Sequence, residues 1–194
     1  MATVDPHEIR LTGENSFMRL RQEEDGPLTA SASHWRILLS PAGPGHILFL
    51  QSELTDNQVR IYSDNIALTR WLQGEIEQGL NPTFADEGIP VAEATFSRHG
   101  DIRAFFTEKI ASRDTEISLT WYDFGESFLI HFEPGSLGQG HLSHGAYSVF
   151  TPARRAQLVV NGRVAQGQPF SMNISGHASS SCSLAWSETW VRPR

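Results

Sequence analysis

Between residues 34 and 39 the side chains alternate, with Trp35, Ile37 and Leu39 on one face and His34 and Arg36 on the other. A period of two is the mark of a β-strand, because successive side chains leave opposite faces. The same alternation, or a short apolar run, recurs at 17–21, 46–51, 59–62, 91–98, 102–110, 116–123, 126–133, 146–150, 156–160, 163–166 and 183–191. Turn clusters separate these segments: Pro41 to Gly45, Thr55-Asp56-Asn57, His99-Gly100, Ser112-Arg113-Asp114 and Asn161-Gly162. The last is the strongest, since Asn-Gly accepts the positive φ angles of a two-residue type I′ turn. One stretch changes period. Leu68, Trp71, Leu72, Ile76 and Gly79 are spaced three to four apart, which predicts an amphipathic helix over about 65–78. Ser63 or Asp64 stands where its cap belongs, and Gly79 and Pro82 supply the stop.

Many short strands with one helix predict an all-β fold. The expected form is an antiparallel barrel, lipocalin-like in architecture, or a curved β-sandwich, with the helix packed across it. No motif ties the chain to a particular family. If Phe124-Gly125 is a tight hairpin turn, Trp121 faces Phe128, Leu119 faces Ile130 and Ile117 faces Phe132, which makes one apolar face. The other face then pairs Tyr122 with Ser127, Ser118 with His131 and Glu116 with Glu133. Inside a barrel mouth, that face offers His131 as a base with Glu133 to orient it; otherwise it is a wet sheet surface. Period two along the last strand puts Cys182, Leu184, Trp186, Glu188 and Trp190 on one face. A carboxylate between two indoles is desolvated, which raises its pKa and suits it to proton transfer. The plainer alternative is a structural ion pair with Arg36, Arg154 or Arg155.

Composition narrows the classes. The chain has 194 residues, 39% of them hydrophobic, enough to fill the core of one β-rich domain over 1–194. Within it, 1–33 reads as an N-terminal strand and loop, and 134–145 as a Gly/His-rich loop. No run of about 18 apolar residues occurs, the opening residues do not resemble a secretory signal, and Cys182 has no second cysteine to pair with. The expected location is therefore cytoplasmic. The net charge of −7 argues against nucleic acid as a partner, and no membrane association is expected. A homodimer is compatible with the sequence.

The candidate chemistry is sparse. His131, Glu133, His141 and His144 are residue types that bind zinc or iron, but their spacing matches no metal motif, and a mobile metal-free loop is the alternative. No Gly-x-Ser-x-Gly and no phosphate-binding glycine loop is present, so no cofactor is expected. Cys182 reads as a small filler residue. The leading expectation is a small, mostly apolar ligand in the barrel, with acid/base chemistry of the isomerase, hydratase or lyase type. Glu188, His131 and Glu133 are its candidate catalytic groups, and Trp186, Trp190, Trp121, Tyr122 and Tyr147 its candidate ligand-binding residues. A non-catalytic carbohydrate- or protein-binding module is the first alternative. A metal-dependent enzyme using His131, Glu133, His141 and His144 is the second.

Overall fold

The computed structural model describes residues 8–135 and 144–192. The strands are β1 (Ile9–Arg21), β2 (Leu28–Leu39), β3 (Gly45–Ser52), β4 (Val59–Ser63), β5 (Val91–Asp101), β6 (Phe105–Ser112) and β7 (Glu116–Phe124). They continue with β8 (Phe128–Phe132), β9 (Gly145–Val160), β10 (Arg163–Val164), β11 (Ser171–Ile174), β12 (His177–Ser180) and β13 (Cys182–Val191). Nine of them close into a barrel in the order β9–β13–β1–β2–β3–β4–β5–β6–β7, with β7 returning to β9. The all-β expectation therefore holds, in its barrel form and with one helical segment. Around the ring the pairs are antiparallel except β4 with β5, which is parallel. A parallel pair cannot be joined by a tight turn, and the helix supplies the crossover. No helix among the described residues is long and apolar enough to cross a membrane.

The helix begins with α1 (Ile66–Leu72), passes through a π-helical stretch (Gln73–Glu77) and ends in a last turn (Gln78–Leu80). Its cap is Asn65 rather than Ser63 or Asp64: the Asn65 Oδ1 accepts from the Leu68 N–H at 3.1 Å. The Asn65 amide also donates to the carbonyls of Ala42 and Pro44, so the cap is tied to the β2–β3 turn. Gly79 lies inside the last turn, and the helix stops before Pro82. The wider π turn shifts the phase of the buried stripe, and both Gln73 and Glu77 are buried.

Two apolar layers result. Met18, Leu48, Leu119, Trp121, Leu158 and Leu184 fill the barrel, while Trp35, Ile47, Phe49, Leu68, Leu72 and Phe84 lie between its outer wall and the helix. Strand β3 serves both, so Ile47, Leu48, Phe49 and Leu50 are all fully buried and the run is continuously apolar. Each such side chain contributes roughly 1.5–3 kcal/mol on burial. On β2 the Trp35 face packs under the helix, and the opposite face, with His34 and Arg36, turns into the barrel.

Two expectations about register are corrected. Strands β7 and β8 form no hairpin with each other. Trp121 and Leu119 do face the barrel interior, but β7 pairs with the second half of β9, as in Trp121↔Ala156. Strand β8 pairs with the first half, as in Phe128↔Phe150. A 16-residue β9 has ladder enough for both, and the left-handed Asp123 (φ 56°) turns the chain between them. Glu116 and Glu133 consequently do not oppose each other. In β13 the period of two is broken at Ser187, whose φ is 54° and where the register to β9 shifts between Trp186 and Thr189. A bulge adds a residue and reverses which side chains face inward. Trp186 thus packs against the barrel core, whereas Trp190 and Glu188 face the layer beneath the helix. The Asn161-Gly162 turn forms as expected, with φ angles of 50° and 75°. Most of the Gly/His loop, including His141, lies outside the described residues.

Candidate functional site

The barrel interior changes character toward one end. On β1 the inward positions run from Leu20 and Met18 to Ser16 and Glu14, and on β2 from Ala30 and Ala32 to His34 and Arg36. On β3 Leu50 and Leu48 give way to His46, and on β5 Ala94 and Phe96 give way to Arg98. Arg98 lies between two carboxylates. Its Nη2 is in short contact with Glu14, and its Nε donates to Glu108 Oε1 at 2.5 Å. Its guanidinium also sits 4.7 Å from the Phe106 ring centroid and 5.0 Å from that of Trp186. Burial works against the Arg98 charge, but Glu14 and Glu108 outweigh it and hold its pKa above the ordinary value. Burial pushes the Glu108 carboxyl upward, and Arg98 opposes that shift. His34 is buried beside them, with Nε2 4.0 Å from Glu108 Oε2. Burial first, then the Arg98 charge, keep its pKa well below the usual imidazole range, so it is neutral.

Above this layer runs a second chain of contacts. Arg36 Nε donates to His46 Nε2 at 3.0 Å, and His46 Nδ1 meets Asp64 Oδ2 at 2.6 Å. A guanidinium only donates, so Nε2 is the acceptor and Nδ1 carries the proton given to Asp64. The other Asp64 oxygen accepts from the His46 backbone N–H at 2.6 Å. The imidazole is stacked on Phe96, with centroids 5.2 Å apart and planes 17° apart. These groups border an open cavity of about 980 Å³ whose lining includes Glu14, Arg36, Leu38, His46, Asp64 and Ile66. Leu38 and Ile66 are 66% and 58% exposed there, so the polar lining carries two accessible apolar side chains.

The residues singled out in the sequence are dispersed. Glu188 lies outside the barrel wall, under the helix. The residue keeps partial exposure, but its Oε2 is fully buried with no hydrogen-bond partner. Burial pushes its carboxyl up to about 7, with the Trp190 indole opposing the shift and the nearby Glu77 adding to it. Glu77 accepts from Trp35 Nε1 at 2.7 Å, Ser33 Oγ at 3.1 Å and Asn81 Nδ2 at 2.7 Å. Burial nevertheless raises its pKa. Arg19 reaches this cluster through Asn81 Oδ1 at 2.8 Å.

His131 stacks on Tyr147 at 4.5 Å, and its Nδ1 is 3.5 Å from Glu133 Oε1. These side chains are exposed; Tyr147 is the cross-strand partner of Thr189, so the cluster lies beside β13 but on the sheet face opposite Glu188. Tyr122 faces outward beneath the Arg155 guanidinium, and Trp121 is a core residue whose Nε1 donates to the Phe17 carbonyl. Burial pushes the Cys182 thiol up to about 12, in keeping with a filler residue. Among the described residues no group of three or more His, Cys, Asp or Glu side chains could hold a metal ion.

Among the expected site residues that the structure describes, Trp186 is the one found against Arg98 at the charged end of the barrel. Glu14, His34, Arg36, His46, Arg98 and Glu108 went unselected. Their signal was present in part, as polar residues alternating with Trp35 and Ile37 on β2. It becomes legible only once the helix is known to cover the Trp35 face. Comparison of the chain with protein-family models, with curated proteins and with solved structures finds no match.

Proposed function

We propose that the protein binds a small amphiphilic molecule at the open end of its barrel. The observation that carries this reading is the pair of exposed apolar side chains, Leu38 and Ile66, beside a cavity of about 980 Å³ whose remaining lining is largely polar. Ligand sites combine apolar area with placed polar groups, and both occur in this lining, with the polar groups in the majority. The deeper barrel is filled by Trp121, Leu119 and Met18, so the ligand sits at the mouth rather than in the core. None of Glu188, His131 and Glu133 lines this cavity, so the reading is one of binding, with no turnover assigned to those groups.

Isothermal titration with 2-naphthylmethanol, a neutral apolar probe, tests the proposal. Saturable one-to-one binding is expected, and Leu38→Ser with Ile66→Ser should weaken it about tenfold. That loss corresponds to roughly 1.4 kcal/mol, the value of about 55 Å² of apolar contact. Both side chains are exposed, so the variant should fold as the parent does. Absence of saturable binding, or equal affinity in the double variant, would contradict the proposal.

A further inference from the structure

Arg36 and Arg98 both enter this end of the barrel, but they are treated differently. Arg98 has two carboxylates. The hydrogen bond found for Arg36 uses its Nε, and the acceptor is the imidazole of His46. Among the described residues no carboxylate lies in ion-pair contact with Arg36, although Glu14 is its direct cross-strand neighbour. Glu14 is instead drawn to Arg98, and Asp64 is held by His46 through both its oxygens. Glu108 also feels the Arg36 charge but is hydrogen-bonded to Arg98, so the carboxylates near Arg36 are each held by another partner, and Arg36 itself lines the cavity.

We infer that Arg36 is the anchor for a carboxylate on the ligand, so that the molecule bound at the mouth is a small organic acid. This rests on the mouth-binding reading above. A guanidinium presents parallel N–H donors in a fixed plane that match a carboxylate two to two. Here the plane is set in advance, because Nε is held by His46, and His46 is held by Asp64 and by its stack on Phe96. Ordering already present in the free protein is not charged against binding. His46 and Asp64 are then positioning residues, acting on the ligand through Arg36. A phosphate monoester also suits a guanidinium, but Glu14, Asp64 and Glu93 all line the same cavity. A dianion would meet more repulsion from them than a monoanion, which favours the carboxylate. Leu38 and Ile66 receive the apolar body of the acid.

The test compares 2-naphthoate, 2-naphthylmethanol and 2-naphthyl phosphate on the full chain by isothermal titration. In the wild type 2-naphthoate should bind about tenfold more tightly than the alcohol, and more tightly than the phosphate. Arg36→Gln should abolish the preference for naphthoate over the alcohol. His46→Phe keeps a ring on Phe96 but removes the acceptor. It should weaken naphthoate several-fold more than the alcohol, a split that general loosening of the fold would not produce. Equal binding of acid and alcohol by the wild type, or an unchanged preference in Arg36→Gln, overturns the inference while leaving the mouth site standing. Tighter phosphate than naphthoate overturns the ligand class. Failure of all three probes to bind contradicts the underlying reading instead.

Discussion

Replacing Arg98 with methionine should destabilise the protein by about 3–5 kcal/mol in urea unfolding at pH 7, the usual cost of leaving buried charge uncompensated. Methionine preserves apolar contact with Phe106 and Trp186, so the loss reports on charge rather than on volume. Without the guanidinium, Glu108, only 3% exposed, and Glu14 lose the cation they are paired with, and only the more distant Arg36 charge still acts on Glu108. The Glu108 carboxyl is already pushed upward by burial against the pull of Arg98. In the variant it must take up a proton or remain charged at higher cost. The penalty should therefore shrink as the pH is lowered toward 5, and Glu108→Gln added to Arg98→Met should recover a large part of it. A loss below about 1 kcal/mol at pH 7, or no rescue by the second change, would mean that this triad is solvated and does not organise the barrel end.

The second large effect concerns Glu188. Its pKa is raised in the folded protein from the ordinary 4.5 to about 7. Between those values the folded state keeps a proton that the unfolded chain has lost, so the folded state binds more protons and stability falls as pH rises. The contribution is intact below about pH 4.5 and is lost by about pH 8, at a cost of up to roughly 3 kcal/mol. Glu188→Gln keeps the shape and cannot ionise. Its melting temperature should exceed that of the wild type by several degrees at pH 8 and match it near pH 5. Glu77, raised by the same burial, remains in the variant and leaves a residual slope of the same sign. A melting difference that is the same at both pH values would show that the Glu188 carboxyl is not held neutral in the helix–barrel layer.

The sequence shows the periods and hides the partners. Alternation located most strands, and the change to a 3.6-residue period located the helix within a few residues of its ends. Both signals are local, and both follow from burying one face of an element. What the chain does not display locally is which strand lies beside which. The apolar patterns on either side of Phe124-Gly125 match a hairpin, but β9 is long enough to take both β7 and β8, and nothing in residues 116–133 announces that. The bulge at Ser187 is equally silent, because serine is not a residue that advertises a left-handed φ. That one residue moved Glu188 and Trp190 out of the barrel and left Trp186 inside. The candidate site suffered most, since the Arg98–Glu108 and Arg36–His46 contacts join strands that are distant in sequence or become meaningful only when both faces of β2 are buried. The desolvation of Glu188 was legible from its flanking indoles, although the environment that produces it is the helix–barrel layer.

Backbone amide chemical-shift mapping during titration with 2-naphthoate tests most directly whether the mouth of the barrel is the binding site. The largest shifts should fall on residues lining the cavity, around Arg36 to Leu38, Gly45 and His46, and Asp64 to Ile66. Shifts concentrated instead on His131 and Tyr147, or on the outer aromatic row of Phe17, Phe150, Phe128 and His177, with the mouth unmoved, would contradict it.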